Sequence, residues 1–194
     1  MNRRTFLPLL GLAPWGLAAA TRPLLRPMQP EQLHFHDDGT IPNSPLPLLV
    51  YRQAFTARNV AGAEWLEQRF AAHNWTNSWR NGVYSFHHYH STSHEVLGVY
   101  AGSALLHLGG EAGQKVRVQA GDILVIPAGV GHKNLGSDGL GIVGAYPDGR
   151  HWDVNRGLPG ERPQTDKNIT ALPLPATDPL LGQAGGVVAL WHKG

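Results

Sequence analysis

The segment GVYSFHHYHSTSHEVLGVYAG, residues 82–102, predicts the centre of the fold because it concentrates potential metal ligands. His88 and His90 are two residues apart, so in a β-strand both imidazoles lie on the same face. Glu95 follows after four residues, which leaves room for a turn, and begins the next predicted strand. Two imidazoles and one carboxylate are donors that a divalent transition metal binds.

A fourth candidate ligand lies downstream, in GDILVIPAGVGHKN at residues 121–134. An apolar strand there ends in a Pro-Ala-Gly turn, and His132 follows. His132 can complete a set of three nitrogen donors and one oxygen donor.

These two segments resemble the two signature motifs of the cupin superfamily. The first motif is matched at every position, by Gly82, His88, His90, Glu95 and Gly102. The second is matched by Gly121, Pro127, Gly129 and His132, whereas Asn134 follows His132 by two residues instead of four. The resemblance implies that the metal ligands are His88, His90, Glu95 and His132. Flanking segments, among them HFHDDGTIPNSPLPLLVY and GAYPDGRHWDVNRG, resemble the single-domain bacterial YjlB-like cupins.

The resemblance implies an all-β fold, an antiparallel double-stranded β-helix or jelly-roll barrel, with one or few peripheral helices. The 24 glycines and 15 prolines suit many short strands joined by tight turns. We expect a signal peptide at residues 1–20, an extended arm at 21–47, the barrel at 48–146, and an irregular segment at 147–194 that packs on the barrel.

Local patterns predict the individual elements. Strands are expected at residues 48–52, 83–90, 115–118, 122–126 and 140–146, and residues 95–100 and 103–108 are expected to form a hairpin across Ala101 and Gly102. Asn59 is a plausible N-cap for a helix over residues 60–72. The apolar run VVALW near the C-terminus is expected to add a last strand.

The alternation within residues 83–90 also predicts which side chains avoid the metal. His87 and Tyr89 should point away from it, whereas Tyr84 should share the face of His88. His94 lies next to Glu95 and therefore on the opposite face, where it could act behind the ligands or hold the turn. Tyr84, Arg80 and His94 are the candidate acid–base groups for catalysis.

The composition restricts the cofactor and its chemistry. There is no cysteine, so a metal must take nitrogen and oxygen ligands, which fits Fe, Mn, Ni, Cu or Zn. A six-coordinate ion would keep about two positions open, whereas a four-coordinate Zn site would be closed and structural. We expect a dioxygenase-type oxidoreductase acting on a metal-chelating small substrate. The alternatives are a non-catalytic metal-dependent binding protein and a Lewis-acid isomerase or hydrolase.

The N-terminal sequence MNRRTFLPLLGLAPWGLAAA resembles a twin-arginine export signal and predicts a periplasmic or secreted protein without stable membrane anchoring. Arg3 and Arg4 account for the formal net charge of +2, and no Lys/Arg cluster follows, so no nucleic-acid partner is expected. We expect a homodimer, because cupins often dimerise through barrel edges.

A second metal site is conceivable from His34, His36, Asp37 and Asp38. An edge strand that runs into an Asp-Gly turn is the favoured interpretation of the same residues.

Overall fold

The computed structural model describes residues 28–192, so the predicted signal peptide lies outside the described residues. All strand pairings recorded within this range are antiparallel, which confirms the expected all-β jelly-roll class. No helix within the same range is long and apolar enough to cross a bilayer. The elements in chain order are β1 Glu31–Leu33, β2 Leu48–Tyr51, α1 Asn59–Ala72, β3 Trp75–Asn81, β4 Glu95–Leu108, β5 Gln114–Gln119, β6 Ile123–Ile126, β7 His132–Pro147, α2 Gln164–Ala171 and α3 Gly186–Leu190.

Two long strands connect the sheet. Its order is β1-β2-β6-β4-β7-β3, and β5 pairs with the second half of β4. The first half of β4 pairs with β6, while β7 pairs along most of its length. β4 therefore contributes to both ends of the barrel, and its first residue, Glu95, enters the sheet beside β6.

Alternate residues of the central strands face two different hydrophobic cores. Leu97 and Val99 of β4 belong to the cluster inside the barrel, whereas Val96 belongs to the cluster that includes Leu66 and Phe70 of α1. Because both faces of β2 and β6 are buried, these strands are continuous apolar runs rather than alternating ones. Helix α1 begins one residue before its predicted start, without a side-chain capping hydrogen bond.

The predicted hairpin between residues 95–100 and 103–108 is wrong, because β4 is one continuous strand. Its pairing with β7 shifts register between Val99 and Ala101 and again between Ala101 and Ser103. Gly102 has φ +62°, and a Cβ there would lie 2.1 Å from the carbonyl oxygen of Asp138. The glycine therefore forms a bulge that bends the strand without reversing it.

The predicted strand over residues 83–90 is also absent. Regular pairing in this region belongs to β3, whose partner is β7. Between β3 and β4, pairing is limited to two isolated bridges, His88 with His132 and Tyr89 with Asn155. The expected alternation nevertheless holds locally, since successive residues make bridges to different partners.

The C-terminal segment packs on the barrel but does not add the predicted last strand. VVALW instead contributes to helix α3, and α2 is a further helix that the sequence analysis did not predict. The Gly186 N–H donates to the Tyr51 hydroxyl at 2.7 Å, and the Val187 N–H donates to Asp178 at 3.1 Å. These partners satisfy the first amides of the helix, which explains why a β-branched pair becomes helical here.

The N-terminal arm confirms the Asp-Gly turn, but its edge strand lies earlier than expected, and residues 34–38 are not part of a strand. β1 pairs with β2 at the edge of the sheet and ends at Leu33. Asp38 accepts the amides of Thr40 and Ile41 at 2.9 and 2.7 Å, as expected of an Asp-Gly turn. Asp37 pairs with Arg162 at 2.6 Å instead of contributing to a histidine–carboxylate cluster.

Candidate metal centre

Hydrogen bonds join the two sequence motifs directly and bring the four predicted ligands together. His132 donates its backbone N–H to the carbonyl of His88 at 2.9 Å, and His88 returns one to His132 at 3.2 Å. The Gly129 N–H donates to the carbonyl of His90 at 2.8 Å. Gly129 has φ +93°, and a Cβ there would lie 2.3 Å from the Asn43 carbonyl oxygen, so the turn before His132 requires glycine.

The ligand atoms converge on one point inside the barrel. One nitrogen from each of His88, His90 and His132 lies within 4.8 Å of the others. The Glu95 carboxylate lies 3.5 Å from His90 Nε2 and 3.3 Å from His132 Nε2. All four side chains are buried.

Backbone carbonyls set the tautomer of the three imidazoles. Nδ1 of His88 faces the Phe86 carbonyl at 3.4 Å, Nδ1 of His132 faces the Val130 carbonyl at 3.1 Å, and Nδ1 of His90 faces the Asp153 carbonyl. A carbonyl oxygen only accepts, so each Nδ1 carries the proton. In the neutral form of each imidazole, Nε2 then carries a free lone pair, as a metal-ligating histidine requires.

Glu95 is held from behind by a chain of aromatic donors. The Tyr146 hydroxyl donates to Glu95 Oε1 at 3.0 Å, and the Trp79 indole N–H donates to the Tyr146 hydroxyl at 2.7 Å. The other oxygen, Oε2, is buried and has no hydrogen-bond partner among the described residues. An unpaired carboxylate oxygen facing imidazole lone pairs fits a divalent cation, because such an ion would compensate its burial.

Burial and the neighbouring ligands shift the pKa values of the side chains at the centre. Burial, together with the neighbouring His132 and His90, lowers the pKa of His88 to about 2. Burial would raise the pKa of Glu95, but His90 and His132 outweigh it and hold the pKa below its ordinary value. For His90, burial lowers the pKa and the Glu95 carboxylate more than reverses this. Glu95 is therefore an ionised oxygen donor at neutral pH.

The ligands lie at the base of an open cavity of about 340 Å³. Aromatic and apolar side chains form most of its wall, and Trp152 stacks on Tyr146 with ring centroids 4.4 Å apart. The cavity is lined by Trp79, Arg80, Asn81, Gly82, Val83, Tyr84, His88, His90, Glu95, Leu97, His132, Tyr146 and Trp152.

The three candidate acid–base residues lie in different environments. Tyr84 lines the cavity, is half exposed, and contacts the His88 ring edge-on with centroids 4.9 Å apart. Arg80 also borders the cavity, but its guanidinium pairs with Glu67 at 2.7 Å. His94 is buried away from the cavity, accepts the Ala128 N–H at Nδ1, and lies against Trp191. Catalytic roles for all three stay predictions.

Two supporting residues were missed by the sequence analysis. Tyr146 carries no motif signal beyond its place in an apolar strand. Asp153 lies in a loop expected to be irregular, yet its carboxylate accepts the backbone N–H groups of Ser91 and Thr92 and the amide of Asn155. Burial would raise the pKa of Asp153, but a hydrogen bond from the Ser91 hydroxyl, together with those from Asn155 and the two backbone N–H groups, lowers it overall. The loop is thereby fixed with the Asp153 carbonyl behind His90.

Comparison with known proteins shows the family to which the chain belongs. The cupin domain model matches residues 80–139, which contain all four predicted ligands. The uncharacterized protein YjlB of Bacillus subtilis is 42% identical over 161 residues, covering 82% of this chain and 94% of YjlB. This chain belongs to the cupin family.

Two solved structures are similar to parts of this cupin. Acireductone dioxygenase from Bacillus anthracis, with a cadmium ion in its active centre, matches 54% of this chain and 80% of its own at 13% identity and a TM-score of 0.39. Oxalate decarboxylase from Bacillus subtilis matches 60% of this chain and 29% of its own at 18% identity and a TM-score of 0.34. At these values neither likeness carries an argument about chemistry.

Proposed function

We propose that this cupin is a metal-dependent oxidoreductase of dioxygenase type that acts on a small metal-chelating substrate. The observation that carries the proposal is the position of the ligands. His88, His90, His132 and Glu95 lie together at the base of a cavity large enough for a small molecule. A substrate in this cavity would lie next to the four ligand side chains, and so next to any metal ion that they hold.

The four side chains would hold one divalent ion among Fe, Mn, Ni, Cu and Zn. A bound ion would supply Lewis acidity and, where it is redox active, electron exchange with dioxygen. Four protein donors leave about two positions of a six-coordinate ion for substrate oxygens or water. Addition of both atoms of O₂ to the substrate balances without an external reductant.

The protein's own groups orient the centre and the substrate. Burial and the Glu95 carboxylate raise the pKa of Tyr146 far above its ordinary value, so its hydroxyl stays protonated and keeps donating to Glu95. Trp79 and Trp152 present ring faces or edges to the cavity, which favours a flat substrate such as a diol or enediol.

The placement of the acid–base candidates favours redox chemistry over an isomerase or hydrolase. Those reactions need a positioned proton acceptor beside the substrate. Arg80 is paired with Glu67, and His94 lies outside the cavity lining. Of the three candidates, only Tyr84 is therefore placed to accept a proton from a substrate, whereas an isomerase or hydrolase depends on such an acceptor. A non-catalytic binding protein would use the same cavity without turnover.

The test is oxygen uptake by protein loaded separately with Fe²⁺, Mn²⁺, Ni²⁺, Cu²⁺ or Zn²⁺ and given catechols, enediols and 2-keto acids. We expect stoichiometric O₂ and substrate consumption with a redox-active ion, none with Zn²⁺, and none with His132→Ala. Turnover with Zn²⁺ in the absence of O₂ would favour Lewis-acid chemistry. Saturable binding without turnover would favour a binding protein.

We also propose export to the periplasm or beyond and a homodimeric assembly. Export rests on the sequence of residues 1–20. Dimerisation rests on the position of β1 and β3 at the ends of the strand order, since an edge strand can pair with a second copy of the chain. N-terminal sequencing of the native protein and light scattering in solution test the two proposals; an intact N-terminus or a monomeric mass would contradict them.

A further inference from the structure

A second group of metal-binding side chains lies outside the barrel centre. It consists of His87, which precedes β4, His107 within β4, and Glu111 in the turn between β4 and β5. One potential ligand atom from each lies within 4.8 Å of the others. The two imidazole centroids are 4.9 Å apart, and His87 Nε2 lies 3.3 Å from a Glu111 oxygen.

His87 is placed there without the hydrogen bonds that a buried histidine normally makes. Only 10% of its side chain is exposed. Both of its ring nitrogens are buried and have no hydrogen-bond partner among the described residues. His107 is equally well buried, at 5% exposure. Buried polar atoms without partners are uncommon, and a metal–nitrogen bond would compensate one of them.

This group is distinct from the barrel centre although His87 and His88 are adjacent. Consecutive side chains point to opposite sides, and His88 faces His90 and His132 in the barrel. A separate cavity of about 420 Å³ reaches the second group. Asp38, His87, Glu111 and Arg156 are among its lining residues, and Glu111 is 75% exposed.

The side chain of Lys133 already contacts one member of this group, Glu111. The Lys133 ammonium lies 2.6 Å from the same Glu111 oxygen that approaches His87. Lys133 lies opposite His107 in the β4–β7 pairing, so both side chains project on the same side of the sheet. The carboxylate is therefore ionised and oriented toward the histidines, and the lysine is positioned to compete with a metal ion.

We propose that His87, His107 and Glu111 form a second, surface-accessible site for a divalent transition metal such as Zn²⁺ or Cu²⁺. Two imidazoles and one carboxylate are a suitable donor set for these ions, and water can complete the coordination. The site binds more weakly than the barrel centre, because it has one histidine fewer and because Lys133 competes for Glu111. It does not depend on any catalytic role of the barrel.

The test is Zn²⁺ titration of the full chain by calorimetry, with bound metal measured after gel filtration. We expect two ions per chain in the wild type and one in Glu111→Gln, which alters an exposed side chain. His107→Gln should also bind one ion, with circular dichroism confirming that it is folded. His132→Ala should lose the barrel ion and keep the second.

Lys133→Met separates metal binding from a purely structural cluster. Removing a surface-type ion pair should tighten the weaker site by about two- to fivefold, because the ammonium no longer competes. Cu²⁺ bound to His132→Ala should show hyperfine coupling to imidazole nitrogens that changes when His107→Gln is added, since an ion left at the barrel centre would give an unchanged spectrum. One ion per wild-type chain at saturating Zn²⁺, or two ions in folded Glu111→Gln, overturns the proposal.

Discussion

The Tyr146 hydroxyl donates a 3.0 Å hydrogen bond to Glu95 Oε1, although 51 residues separate the two in the chain. This contact fixes one oxygen of the carboxylate and leaves Oε2 directed at the imidazoles. It connects the last part of β7 with the first residue of β4, which are adjacent in the sheet. Strand pairing therefore contributes to the geometry of the metal centre.

Tyr146→Phe should weaken metal binding at the barrel centre by about 10- to 100-fold, as is typical when an outer hydrogen bond to a ligand is lost. The phenyl ring keeps the stacking with Trp152, so the fold should be retained. Competition with a chromophoric chelator measures the affinity. Tyr100→Phe serves as the control, since Tyr100 is not among the residues that line the cavity. Unchanged affinity in Tyr146→Phe would show that the hydrogen bond does not tune the centre.

His88→Ala and His132→Ala should each remove most of the barrel ion while leaving the barrel folded. Each substitution deletes one of three nitrogen donors and exposes no large apolar surface. Metal analysis combined with circular dichroism measures both effects. His87→Ala is the matched control: it should retain the barrel ion, recognisable by coupling to three nitrogens in the Cu²⁺ spectrum. Loss of that signal in His87→Ala would contradict the facing of residues 87 and 88.

Metal content should fall as the solution is acidified. Burial lowers the pKa of His90, but the Glu95 carboxylate outweighs it and raises the pKa above its ordinary value, so protons compete with a metal ion for Nε2 as the pH falls. His88 stays neutral down to about pH 2, so it does not cause the loss. Dialysis at a series of pH values followed by metal analysis tests this. Full occupancy at pH 4.5 would rule the mechanism out.

Asp153→Asn should lower the free energy of unfolding by about 1–3 kcal/mol at pH 7, since it replaces a half-buried charged acceptor of several hydrogen bonds. The pKa of Asp153 is lowered in the folded state, so its contribution is complete above the ordinary value of 3.8 and is lost as the pH falls below it. Urea unfolding measures the difference. Asp148→Asn, on an exposed side chain of the same loop, should change stability by no more than about 0.5 kcal/mol. An equal change in the free energy of unfolding in the two variants would contradict a stabilising role specific to Asp153.

The two motifs and the family resemblance that they carry were sufficient to predict the fold class and to nominate the ligand set. His88 and His90 are held in register with His132 by short backbone contacts, and such contacts follow from motif spacing and turn chemistry. The hairpin at Gly102 and the C-terminal strand were wrong for the opposite reason. A glycine at positive φ serves a bulge as well as a turn, and an apolar run suits a helix as well as a strand when its first amides find partners.

By itself, the sequence determined the spacing of three histidines and a glutamate in two motifs, and the resemblance of these motifs to the cupins implied that the four residues meet inside an antiparallel barrel. Only the tertiary structure decided which residues hydrogen-bond to these ligands and which residues form the second histidine group. The Asp153 carbonyl reaches His90 across 63 residues of chain, Tyr146 reaches Glu95, and His87 meets His107 and Glu111 on the other side of the sheet. These meetings depend on strand register and loop paths, which are set by burial of the whole core and carry no local sequence signature.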